Sequence, residues 1–502
     1  MNAHAHWLLE HADPSDAAAV AKAIQAALKS GLAAQAVPIG EAGTARHPHD
    51  PRLWHLLGLA YRGAEDLQQA IEGLDRAAVL APADPAIAHA AARSRLEAGL
   101  PAIDAFEHAH ALAPDDGGIR QGLAAALFAE GRLDDAIRML EAQLGAEPGW
   151  MEGHATLARL RWMRGERDSF VASYETALVR DPGNLALWRA LVETLMHAEL
   201  YEPALAAVGR ARAGMGDHPM LDALETVSLA EKGETDAADG AFARLGPIEH
   251  VTMATRYMRH LLRAGRPVEA AAFAEPWIAR DPGHLLVPYL SAAWRLTGDR
   301  RWAWLEGDPR FVGVYDIGDR LPSLDALAVR LRGLHLALHH PLEQSLRGGT
   351  QTDGPLFSRI EPEIRALRDI IVETVERHVA QLPSPRPGHP LLIARRAPIG
   401  FAGSWSVRLT GEGFHINHVH PAGWISSAFY VALPDGLGGD EHAGWLTLGE
   451  ATELGLELPP IRLIEPKPGR LVLFPSTMWH GTRPFPAGER LTVAFDVARP
   501  PQ

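Results

Sequence analysis

Prolines at positions 48, 82, 114, 148 and 182 stand 34, 32, 34 and 34 residues apart, and most close a similar phrase. Val79-Leu80-Ala81-Pro82, Ala111-Leu112-Ala113-Pro114, Gly145-Ala146-Glu147-Pro148 and Val179-Arg180-Asp181-Pro182 are the clearest instances. A fixed period of this length leaves few folds open, because each unit is too short to bury its own apolar face and must stack on its neighbours. Proline marks where the second helix of a unit stops, since it lacks an N–H and its ring clashes with the preceding turn. Small residues such as Ala70 and Ala77 fall where two helices must approach closely. The later steps at Pro219, Pro247 and Pro282 are less even, yet Ala136, Ala204 and Ala270 keep their place in looser units. The pattern predicts about seven or eight helix pairs over residues 14–300, an α-helical solenoid of the kind that binds peptides or proteins on its concave face.

The solenoid does not account for the whole chain. At 502 residues the protein exceeds what one core supports and should hold two or three domains. Cysteine is absent, which excludes disulfides, thiolate zinc sites and cysteine nucleophiles, and fits a reducing, cytoplasmic setting. The N-terminus has no basic stretch followed by an apolar core, and no window approaches about 18 apolar residues, so neither a signal peptide nor a membrane span is expected. A net charge of -14 argues against a general nucleic-acid binder.

Residues 301–383 read as capping and connecting helices. Trp302, Trp304, Phe311 and Tyr315 are placed to cover the solenoid's apolar end, and Leu324 to Leu338 and Ile360 to Leu382 show helical spacing. Between them Leu346 to Gly354 reads as a polar, glycine-rich loop beside an active-site mouth; it lacks the lysine and spacing of a phosphate loop. Residues 384–502 turn to short strands bounded by Gly and Pro, clearest at Leu391–Ala394, Trp405–Leu409, Ile425–Leu433, Arg470–Phe474 and Leu491–Val497. Strands of this kind suggest a jelly roll, a double-stranded β-helix with flanking helices.

The chemistry concentrates there. His418 and His420 are two apart, so an extended backbone points both to one face, and His480 follows the apolar run Leu471 to Pro475 on another strand. Two neighbouring ligands and one distant ligand leave open positions on a metal, as a non-haem iron site requires. Arg490 and Thr492 share a face, and a guanidinium there can hold a carboxylate by two hydrogen bonds. The bland alternative for Arg490 is an ion pair with Glu489 or Asp496. His415 is an odd number of residues from His418 and is expected to face away. Trp405, Trp424 and Trp445 are expected in the sheet core, and Arg408 and Arg483 serve either substrate or surface.

Two resemblances follow. Trp54, Leu57, Gly58 and Tyr61, with Ala70, Ala77 and Pro82, resemble the tetratricopeptide repeat. His418 to Leu433, Gly469 to Pro475 with His480, and Arg490-Leu491-Thr492 resemble the 2-oxoglutarate/Fe(II)-dependent oxygenase superfamily. Within it they are similar to a bacterial group with His-x-His-Pro, here His418 to Pro421. The resemblance implies Fe(II) held by His418, His420 and His480, and 2-oxoglutarate gripped by Arg490 with Thr492, Tyr430 and Ser426 nearby. It further implies O2-dependent hydroxylation with release of succinate and CO2, acting on a peptide or protein delivered by the repeats. Repeats joined to this fold are also similar in architecture to aspartyl/asparaginyl β-hydroxylases. One departure stands out: most of the superfamily has Asp or Glu where this chain has His420. Either three histidines hold the metal, or one of the pair only supports a ligand and the carboxylate is missing or comes from elsewhere, with Asp435, Asp440 and Glu441 as candidates. Two other readings stay open, an adaptor with a degenerate oxygenase domain and a three-histidine, cupin-like metal enzyme independent of 2-oxoglutarate.

Overall fold

The computed structural model describes residues 2–342, 344–434, 437 and 442–500. Asp435, Asp440 and Glu441 lie outside the described residues. The chain forms two compact units, one of residues 1–146 with 353–365, the other of residues 147–352 with 366–502.

The first unit is a run of short helices, among them Pro51–Gly63, Leu67–Leu80 and Pro85–Glu97. Each begins at an aspartate, Asp50, Asp66 or Asp84, whose side chain accepts first-turn N–H groups that have no intrahelical partner. The helix before each ladder proline ends two residues ahead of it, at Arg46, Leu80 and Leu112. Trp54 Nε1 donates to the Pro48 carbonyl at 3.0 Å, which ties the turn to the next helix. Gly58 and Gly73 meet where the two helices of this pair cross. A Cβ on Gly58 would lie 2.6 Å from Leu74, so the close approach depends on glycine. The segment 353–365 belongs to this unit: Leu356 and Phe357 are buried, and Ile360 N–H donates to Ala98 O at 3.2 Å.

In the second unit the helices continue through Leu185–His197, Tyr201–Met215, Pro219–Lys232, Val251–Arg263 and Val287–Thr297. The same turn lock recurs, with Trp188 Nε1 on Pro182 O at 2.9 Å and His154 Nε2 on Pro148 O at 3.0 Å. No described helix is long and apolar enough to cross a membrane.

The rest of this unit is an antiparallel sheet: β1 (Gly313–Asp316), β2 (Leu346–Gln351), β3 (Phe401–His418), β4 (Ile425–Ala432), β5 (Leu446–Leu448), β6 (Arg462–Ile464), β7 (Arg470–Pro475), β8 (His480–Thr482) and β9 (Glu489–Val497). Its order is β1-β7-β4-β9-β3-β8-β5-β6, with β2 also on β3, so the strand path is open. The protein is thus a helical solenoid followed by an open antiparallel sheet. β4, β7 and β9 read nearly continuously buried, as strands covered on both faces do, whereas β3 is exposed at its middle, from Thr410 to Glu412.

Three expectations need correction. The glycine-rich segment is not a loop but strand β2, paired with Val407 to His415 of β3. Its glycines permit the pairing: Gly348 has φ +71°, a bulge separates Arg347 from Gly349, and a Cβ on Gly349 would lie 2.3 Å from Arg408 O. Gly349→Ala is therefore expected to cost about 1–3 kcal/mol and to speed amide exchange along Leu346–Gln351. Leu391–Ala394 forms no strand, because His389 Nδ1 accepts the N–H groups of Leu391 and Leu392 at 3.1 and 3.2 Å and takes them out of any ladder. The helix begun at Leu324 ends at Arg332, short of Leu338.

Candidate metal centre

Strand pairing brings the distant histidines together. His418 ends β3, His480 opens β8, and the two are register partners with ring centroids 4.2 Å apart. His420 lies just past the end of β3 rather than on it. A hydrogen bond from its N–H to Ser476 O (2.9 Å) and a turn closed by Gly423 N–H on His420 O (2.9 Å) hold it. Its ring stands 4.9 Å from His418 and 5.3 Å from His480, and one nitrogen from each of the three rings falls within 4.8 Å of the others.

The tautomers follow from the acceptors. His418 Nδ1 is 2.8 Å from Ile416 O and His480 Nδ1 is 2.9 Å from Met478 O. A carbonyl only accepts, so in both neutral rings the proton sits on Nδ1 and the lone pair on Nε2, where His418 meets only the Ser345 hydroxyl at 3.2 Å. His420 Nδ1 meets Asp496 Oδ2 at 2.8 Å, and an ionised carboxylate imposes the same tautomer. Asp496 is held in turn by the Ser426 hydroxyl at 2.5 Å, with Ser476 Oγ 3.0 Å from Ser426. Trp405, expected in the core, stacks on His420 with centroids 5.8 Å apart. Burial, followed by the neighbouring His420, pushes the His418 imidazole down to about 3, and burial with His418 beside it holds His480 well below its ordinary value. Neutral imidazoles that carry the lone pair on Nε2 are the form in which histidine binds metal. Because Asp496 orients His420, Asp496→Ala is expected to weaken divalent-metal affinity about 10–100-fold in a competitive chelator titration.

No carboxylate joins the cluster among the described residues. The acid nearest in role, Asp496, sits behind His420 instead, so among the described residues the cluster is three imidazoles.

Arg490 occupies a second part of the same 520 Å³ cavity. Alternation along β9 sends Arg490, Thr492, Ala494 and Asp496 to the cavity side. Arg490 is 3% exposed, its Nε has no hydrogen-bond partner among the described residues, and its guanidinium carbon lies 5.1 Å from the Tyr430 ring. The Tyr430 hydroxyl is buried beside it. The ion-pair alternative for Arg490 fails, because Glu489 pairs with Arg332 (2.7 Å) and Arg408 (2.6 Å) while Asp496 pairs with His420. Burial lowers the Arg490 pKa and the neighbouring Tyr430 hydroxyl offsets only part of that, so a charge that is costly to bury has no carboxylate beside it among the described residues, an arrangement suited to an anion. Thr492 Oγ1 has only a 3.5 Å contact with Val407 O, whereas the Ser426 hydroxyl is engaged by Asp496 and is not free for a cofactor.

His415 was expected to face away, yet it lines this cavity with its ring 5.9 Å from His418. The β3–β8 register spans three residues on β3 against two on β8, and this bulge reverses the alternation. Ser345 Oγ bridges His415 Nδ1 (3.1 Å) and His418 Nε2 (3.2 Å). Sequence reasoning also missed Asn417, whose Oδ1 accepts from the Thr452 N–H (3.3 Å) and hydroxyl, and the solenoid residues Arg256 and Arg259 on the cavity wall. Only the spacing of Arg256, Arg259 and Arg263 on one helical face could have signalled the latter. Arg408 and Arg483 form ion pairs, with Glu489 and with Glu450 (3.1 Å), and Trp424 is buried in the core.

The model of the family described as "Putative 2OG-Fe(II) oxygenase" matches residues 403–496, and that of the family described as "Tetratricopeptide repeat" matches residues 102–160. No curated protein sequence matches the chain. Similar solved structures include a tetratricopeptide repeat protein from Parabacteroides merdae, at 13% identity and a TM-score of 0.31 over 43% of this chain and 86% of that one. MamA is similar at 20% identity and a TM-score of 0.29, over 33% and 92% of the two chains. YrrB, described as a TPR protein with an unusual peptide-binding site, is similar at 17% identity and a TM-score of 0.25, over 36% and 95%. The chain has an N-terminal tetratricopeptide-repeat region and a C-terminal domain matched by the 2OG-Fe(II) oxygenase family model.

Proposed function

We propose that the C-terminal domain is a three-histidine metal oxidoreductase on a double-stranded β-helix, with His418, His420 and His480 holding one Fe(II). The observation that carries this reading is the convergence of three imidazoles whose Nδ1 atoms are all committed to protein acceptors. Iron would supply dioxygen activation there, and 2-oxoglutarate the electrons for it, with hydroxylation as the outcome. The chain's own part is orientation and exclusion of water. Asp496 fixes His420, the peptide carbonyls of Ile416 and Met478 fix the other two rings, and buried Val407, Leu446 and Phe474 keep the cavity wall dry. Arg490, buried without a carboxylate partner among the described residues, suits the far carboxylate of 2-oxoglutarate, with the Tyr430 hydroxyl beside it. The tetratricopeptide repeats support a peptide or protein substrate.

A second reading keeps the metal and drops the 2-oxo acid; the all-imidazole donor set favours it. Anaerobic addition of Fe(II) and then 2-oxoglutarate separates the two. The first reading expects a weak visible charge-transfer band, and Arg490→Met is expected to weaken 2-oxoglutarate binding by at least about 30-fold while iron still binds. Iron binding with no band in the unmodified protein supports the 2-oxo-acid-independent enzyme. No iron binding leaves the repeats as an adaptor.

A further inference from the structure

The cavity that holds the three imidazoles is not made by the sheet alone. The helical repeats supply part of its wall, through Tyr201, Glu231, Arg256, Arg259 and Tyr289. Arg256, Arg259 and Arg263 lie on one face of the helix Val251–Arg263, at spacings that align side chains. All three reach Glu231, at 2.9, 2.8 and 2.5 Å, and its side chain is only 5% exposed. Glu453 receives Arg259 at 2.6 Å and Arg263 at 3.3 Å. Three guanidinium groups thus share two carboxylates. Glu199, another acid of this wall, is already paired with Arg347 at 2.5 Å.

The surplus charge has an address. Arg259 uses its donors on Glu231, on Glu453 and on the Tyr289 hydroxyl (3.2 Å), and Arg263 lies behind it on both carboxylates and the Glu231 carbonyl. Arg256 donates one Nη1 hydrogen bond to Glu231 and has no other hydrogen bond among the described residues; it is 38% exposed and lines the cavity. A cavity of 520 Å³ admits a small molecule or one protruding side chain, not a folded domain. One surplus positive charge next to Glu231 and Glu453 suits a monoanion and disfavours a dianion such as a phosphate group.

Building on the metal-centre reading, we propose that Arg256 is a specificity-determining residue that takes a carboxylate of the primary substrate, carried by an acidic side chain of a peptide or by a free small acid. Repeat helices then select the substrate at the metal cavity itself.

The test uses the full chain loaded with Co(II), followed by the cobalt d–d spectrum and tryptophan fluorescence. Its probes are acetyl-Ala-Glu-Ala-amide against the Gln peptide, and butyrate against butyramide. At least one acid is expected to bind about tenfold or more tighter than its amide. Arg256→Gln should erase that preference, and Arg256→Lys should keep part of it. The peptide pair and the free pair tell a side-chain source from a small acid. Equal binding of acid and amide, no binding of either acid at millimolar concentration, or a preference that survives Arg256→Gln and falls only with Arg490→Met would each overturn the proposal. Failure of cobalt to bind counts against the metal centre alone, because fluorescence still reads the acid preference at Arg256.

Discussion

Replacing His480 with alanine is expected to abolish stoichiometric binding of a divalent metal at micromolar concentration. The ring is buried and neutral, its Nδ1–H is fixed on Met478 O, and it is the register partner of His418. Its loss removes one of three nitrogen donors and leaves two, with no carboxylate among the described residues to replace it. Loss of an outer partner costs about 10–100-fold in affinity, and loss of a ligand should exceed that. His418→Ala should behave alike. His415→Ala is the informative contrast: that ring lines the same cavity but is not part of the three-imidazole cluster, so metal should remain bound. Competitive chelator titration of the three variants gives the order directly. Equal losses in all three would mean that the cluster is held together by packing, not by metal ligation.

Glu231→Gln is expected to produce the largest loss of stability, about 3–5 kcal/mol in the region it supports, because three guanidinium groups lose their shared buried partner. Burial alone would raise the Glu231 pKa, but Arg259, Arg263 and Arg256 outweigh it and hold the carboxyl well below its usual range. A carboxyl depressed in the folded state contributes stability that is fully present above its unfolded pKa, about 4.3, and is lost progressively as pH falls below that value. The protein should therefore weaken below about pH 5, and Glu231→Gln should lack this part of the acid slope. A chain of several domains does not unfold in one step, so amide exchange along Val251–Arg263, measured against pH, is the proper readout. Through Glu453 and Thr452 the same network reaches Asn417, the neighbour of His418, so a loosened network should also lower metal affinity.

Much of this was legible in the residues, where a repeated or local rule decides the structure. The proline period marks helix ends because proline stops a helix wherever it occurs, and Trp54 and Trp188 repeat one turn contact on two ladder prolines. His418, His480 and Arg490 were legible because alternation on a strand needs no knowledge of its partners. Where partners decide, sequence reasoning failed. The bulge that turns His415 inward exists only in the pairing of β3 with β8. The segment at Gly348 and Gly349 reads as a loop by composition, yet its missing side chains are what let β2 lie against β3. Leu391–Ala394 reads as a strand by hydrophobicity, but His389 removes its donors. Asp496 looked like a partner for Arg490 and instead orients His420, leaving Arg490 buried without a neutralising acid among the described residues. The Glu231 network joins two helices and a turn between strands, so no window of sequence contains it.

The central claim proposed here is that three imidazoles, and no carboxylate among the described residues, hold the metal. X-ray absorption on the protein loaded with one equivalent of Fe(II) tests it most directly, since imidazole rings give distinctive outer-shell scattering. The expected spectrum fits three histidine rings with the remaining positions filled by light solvent atoms. A fit with two rings and a protein carboxylate, or a spectrum unchanged by His420→Ala, would contradict it.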